Sequence, residues 1–76
     1  MGRTETGERI ASAPRLDPGD LTLLRLLSTG TSWPAIGEQL HVSERTAHRQ
    51  ARDICDRIGV RRPIEAVVWA IREQLI

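Results

Sequence analysis

The segment Ser43-Glu44-Arg45-Thr46-Ala47-His48-Arg49-Gln50-Ala51-Arg52-Asp53-Ile54-Cys55-Asp56-Arg57-Ile58-Gly59 decides how the chain folds. With Thr46 set at zero, each residue advances about 100° around an α-helix. Ala47, Ala51, Ile54, Cys55 and Ile58 then fall between about 80° and 180°, and Arg45, Arg49, Arg52 and Asp56 between about 240° and 300°. One face is small and apolar; the opposite face is mainly guanidinium. Ser43 supplies an N-cap oxygen and Gly59 a left-handed stop, so the segment reads as a helix of about four turns.

The flanks are helical as well. Asp17-Pro18-Gly19-Asp20 reads as a helix start, with Asp17 as cap, Pro18 in the first turn and Asp20 at the positive end of the dipole. Leu21, Leu23, Leu24, Leu26 and Leu27 follow at helical spacing, and Gly30 ends the run. A short second helix runs from a Thr31 or Ser32 cap to about His41, with Pro34 in its first turn and Ile36 and Leu40 on its apolar side. Pro63 opens a fourth helix, in which Ile64, Val67, Val68, Ile71 and Leu75 form the expected core stripe. The fold class is all-α: a four-helix compact domain over residues 16–76. Residues 1–15 carry five charges and, after Met1, Ile10 as their only large aliphatic side chain. That composition predicts a disordered N-terminal tail or linker, because it buries too little to offset its ordering entropy.

Composition narrows the function classes. Seventy-six residues hold one small domain. No apolar run reaches the roughly 18 residues of a membrane span, and no signal peptide opens the chain. The single Cys55 excludes an internal disulfide and suits a reducing, cytoplasmic setting. All eleven basic residues are Arg, and the net charge is only +1. From Leu16 onward eight Arg face eight acids, so bulk charge does not announce a nucleic-acid binder. Distribution is more telling. Six Arg lie between Ser43 and Arg62 against three acids, a local +3, and an anion-binding surface belongs there.

A short helix, a turn at His41-Val42 and a longer helix with a buried stripe make a helix-turn-helix. In that geometry the second helix enters the DNA major groove and the first crosses the backbone. At this point the chain resembles the LuxR-type (GerE-like) DNA-binding domain of bacterial quorum-sensing regulators and response-regulator output domains. The likeness spans Leu16 to Ile76. It rests on Leu16, Pro18, Leu24, Leu26-Leu27, Gly30, Ser32, Ile36, Leu40 and Val42-Ser43-Glu44-Arg45-Thr46. Ile54, Arg57-Ile58-Gly59-Val60-Arg61 and Glu65-Ala66-Val67-Val68-Trp69-Ala70-Ile71 complete it. The resemblance implies sequence-specific binding of double-stranded DNA by a homodimer, transcriptional regulation in the bacterial nucleoid, and RNA polymerase as a further partner. It implies contacts to bases and phosphates from His48, Arg49 and Arg52, a backbone contact from Thr46, and dimerisation through the fourth helix. His48 stands where the family usually has Lys, Gln50 where it has His, and Trp33-Pro34-Ala35 where it has Asn-Lys-Glu.

Each residue also has a plainer reading. Arg49 and Arg52 carry forks that match guanine O6 and N7, yet each has an acid four residues on, Asp53 and Asp56, with which to pair. Ser43 and Arg45 are expected at phosphate, beside the free amides of the helix start. Arg61 and Arg62 precede Pro63 where a capping residue is missing, so an uncapped helix start could hold a phosphate; the alternative is a solvated basic loop. Arg57 is expected to do no more than balance Asp53. Trp33 is read as packing in preference to touching DNA. Ala66, Trp69 and Ala70 widen the fourth helix's apolar surface and are the expected dimer patch, the alternative being that Trp69 packs on the first helix. His41, His48 and Cys55 lie seven apart, without the short paired spacing of a zinc site, so no metal, cofactor or small-molecule ligand is expected. No nucleophile, base and orienting group converge as in an enzyme. The competing function is a protein-interaction module that keeps this fold without tight DNA binding.

Overall fold

Four helices follow one another in the computed structural model, which describes residues 16–76: α1 (Pro18–Ser28), α2 (Trp33–Leu40), α3 (Glu44–Ile58) and α4 (Pro63–Arg72). There is no strand among the described residues. The tail expected over residues 1–15 lies outside them. None of the described helices is long and apolar enough to cross a membrane.

Local chemistry sets the helix ends. Asp17 Oδ1 accepts from the Asp20 amide at 2.9 Å while Asp20 Oδ2 accepts from the Asp17 amide at 3.2 Å, a reciprocal capping box that satisfies two orphan donors. Ser32 and Ser43 cap α2 and α3 by accepting from the amides of Ala35 and Thr46. Gly30 and Gly59 take positive φ just beyond α1 and α3. α2 ends differently: His41 itself adopts φ 61°, an uncommon conformation for a side-chain-bearing residue. Only His41, Val42 and Ser43 separate α2 from α3. Gly37 makes so short a joint possible, since a Cβ there would lie 2.8 Å from the Val42 carbonyl oxygen.

The core is a single cluster of Leu23, Leu24, Ile36, Ala47, Ala51, Ile54, Cys55, Ala66, Val67 and Ala70. α3 contributes its expected apolar face, with Ile58 only partly buried. α4 does not. Of its expected stripe only Val67 is buried; Ile64, Val68, Ile71 and Leu75 remain 61%, 42%, 53% and 39% exposed. The helix is rotated so that Ala66 and Ala70, both fully buried, face inward. The reason is steric. α1 already fills the centre with Leu23 and Leu24, and two alanines one turn apart let α4 approach it closely. Ala66 and Ala70 are therefore unavailable as a dimer patch, and Trp69 is half-buried against the same core.

Candidate nucleic-acid interface

The outer face of α3 begins at its cap. Ser43 Oγ accepts from the Thr46 amide at 3.0 Å and donates to Thr46 Oγ1 at 3.0 Å, which ties both hydroxyls to the first turn. Beyond them Arg45, Thr46, His48, Arg49 and Arg52 line one open concavity of about 320 Å³. These five were all expected at the site, and the helix brings them together. Arg45, Arg49 and Arg52 are exposed, and among the described residues none of the three makes an ion pair. The anticipated pairs Arg49–Asp53 and Arg52–Asp56 do not form, so the guanidiniums keep their donors for an external acceptor.

A second, smaller concavity of about 240 Å³ adjoins it, lined by Trp33, His48, Arg52, Cys55, Arg61 and Pro63. It brings Arg61, from the α3–α4 loop, toward the α3 face; Arg62 is exposed in the same loop and lines neither concavity. The start of α4 differs from expectation. Glu65 reaches back, its Oε1 accepting from the amides of Arg61 at 2.8 Å and Arg62 at 3.1 Å. Those two amide bonds, with the charges of Arg62 and Arg61 beside them, hold the Glu65 carboxyl below its ordinary pKa against a small opposing cost of burial. An intramolecular carboxylate thus occupies the Arg61 and Arg62 amides, and the two exposed guanidiniums are what the loop presents to solvent.

Behind the basic face lies a polar tie that sequence reasoning missed. Gln50 Nε2 donates to Asp20 Oδ1 at 3.0 Å, and Arg57 Nη1 sits 3.1 Å from Asp20 Oδ2. Arg57, expected to balance Asp53, goes to Asp20 at the start of α1 instead. Burial, at 3% exposure, pushes the Asp20 carboxyl up, but the bonds from Gln50, the Asp17 amide and Arg57 outweigh it and leave its pKa lowered. The tie fixes α3 against the start of α1. Thirty residues separate Asp20 from Gln50, and no local spacing could have signalled the pair.

Trp33 packs as expected, and it makes one contact that its sequence neighbourhood does not signal. It packs against the core, and its ring stacks on His48 with centroids 3.9 Å apart. His48 Nε2 lies 3.6 Å from Glu44 Oε2, one turn earlier on α3. Cys55 is buried, which with the nearby Asp56 and Glu65 charges pushes its thiol pKa up, away from the reactive thiolate. No group of three or more His, Cys, Asp or Glu is gathered for a metal among the described residues.

Fold and site together define an all-α protein whose second and third helices form a helix-turn-helix, with a guanidinium face that has no ion pair among the described residues. Set against models of protein families, curated proteins and solved structures, the chain matches none.

Proposed function

We propose that this chain is the DNA-binding domain of a transcriptional regulator, with α3 entering the major groove and no enzymatic role. One observation carries the reading: Arg45, Arg49 and Arg52 project from one face of α3, without ion-pair partners among the described residues, beside Thr46 and His48. Arg49 and Arg52 are suited to guanine edges, and Arg45, Thr46, Arg61 and Arg62 to phosphate. The protein binds as a dimer on half-sites about one helical turn apart. The surface for that dimer is the exposed stripe of Ile64, Val68 and Ile71 on α4, which replaces the alanines named from the sequence. Selection of bound duplexes from a random pool tests the reading. A two-fold-related motif is expected, with affinity falling as salt rises at a log-log slope near −0.9 per phosphate neutralised. No enrichment, or binding indifferent to salt, would overturn it.

The exposed α4 stripe also supports the second reading, a protein-interaction module. In that case the same stripe binds a different protein, and the pool yields no motif.

A further inference from the structure

Trp33 and His48, from different helices, stack on one another at the edge of the basic face. Trp33 is anchored at the start of α2, between the Ser32 cap and Pro34, and its body packs on the core. Its ring lies 3.9 Å from the His48 imidazole, the planes 25° from parallel. Glu44 approaches the imidazole along α3 at 3.6 Å. With 49% of its side chain still exposed, His48 borders both concavities of the face. The neighbouring arginines are long and unpaired among the described residues, and must be ordered when they bind; the imidazole is already oriented.

We infer that Trp33 is a specificity-determining positioning residue: by stacking on His48 it fixes one orientation of the imidazole, so that His48 discriminates at a single base pair of each half-site. This rests on the DNA-binding reading above. The indole itself touches no base; it acts through His48. An aromatic flat face is what the role demands, and apolar bulk alone does not meet it.

The test compares the full chain with His48→Ala, Trp33→Leu and Trp33→Phe. Leu preserves apolar cover without a stacking face, and Phe preserves the face. Helicity is measured first, and Trp33→Met replaces Trp33→Leu if the latter does not reach the wild-type value. Each protein then selects duplexes from a random pool. His48→Ala is expected to lose preference at one position per half-site. Trp33→Leu is expected to lose it at that same position, by about tenfold, with the other positions unchanged, and Trp33→Phe to retain it. Proton NMR supplies a readout without DNA: the ring-current shift of the His48 imidazole protons disappears in Trp33→Leu and persists in Trp33→Phe. A Trp33→Leu protein that keeps the wild-type preference at the His48 position, or whose imidazole shifts do not move, overturns the proposal alone. A wild-type chain that enriches no sequence overturns the DNA-binding reading, and this proposal with it.

Discussion

Asp20 serves two structures at once, capping α1 through the Asp17 amide and receiving Gln50 and Arg57 from α3. Because its folded pKa is lowered, it contributes stability that is present above its unfolded pKa of about 3.9 and lost as pH falls through the folded value. Asp20→Asn keeps a capping oxygen but removes the charge. It is expected to lower the urea midpoint at pH 7, and the gap from wild type is expected to close as pH falls from about 5 toward 2. A gap that stays constant with pH would show that the carboxylate's charge is not what matters. Gly37 makes the opposite kind of demand. Gly→Ala inside a helix ordinarily stabilises by about 0.5–1 kcal/mol. Here the new Cβ would meet the Val42 carbonyl at 2.8 Å and the Glu44 amide nitrogen at 3.3 Å, both backbone atoms that cannot swing aside. The clash wins, and Gly37→Ala is expected to destabilise by about 1–3 kcal/mol in urea titration. A stabilised variant would mean that the joint between α2 and α3 is looser than the structure shows.

At the scale of the helix, α3 was legible almost completely. Its period, its Ser43 cap and its Gly59 stop are all local, and its two faces are so unlike that only one rotation buries the alanines and Ile54. α4 was not legible, although its opening at Pro63 was. It is apolar nearly all round, so pattern alone fixes no rotation, and ranking by side-chain size favoured Ile64 and Val68 over the alanines that go inside. The site divides in the same way. Arg45, Arg49 and Arg52 share a face by helical arithmetic, whereas the Trp33–His48 stack and the Asp20 tie join residues from different helices that only tertiary packing brings together. The proposed roles of these elements separate experimentally. Arg49→Ala is expected to relax preference at particular bases by about 1–3 kcal/mol of discrimination. Arg61→Ala, on the loop after α3, should instead weaken all sequences alike and reduce the salt slope by about one. Were both variants to shift base preference, the loop would be reading sequence too.

For the molecule as a whole, small size and neutrality pull in one direction. A folded unit of this length gains about 3–5 kcal/mol net from a single core, and eight arginines against eight acids over residues 16–76 give little bulk attraction to a polyanion. Tight DNA binding by one copy is therefore not expected, and the proposed dimer supplies the remainder by making the second half-site contact intramolecular, worth about 10²–10⁴ in affinity. Ile64 and Val68 are the means of testing this, because they are exposed and their loss should spare the fold. Ile64→Asp with Val68→Asp is expected to retain wild-type helicity, to bind an isolated half-site as wild type does, and to bind a two-half-site duplex about 100-fold more weakly. Ile54→Ala provides the contrast: at 0% exposure its truncation costs about 2–5 kcal/mol, enough to unfold so small a core and to abolish binding to both duplexes together. If the double Asp variant loses both duplexes while remaining helical, the α4 stripe acts on the single-copy interface and not through pairing. If it loses neither, the two copies meet elsewhere or not at all.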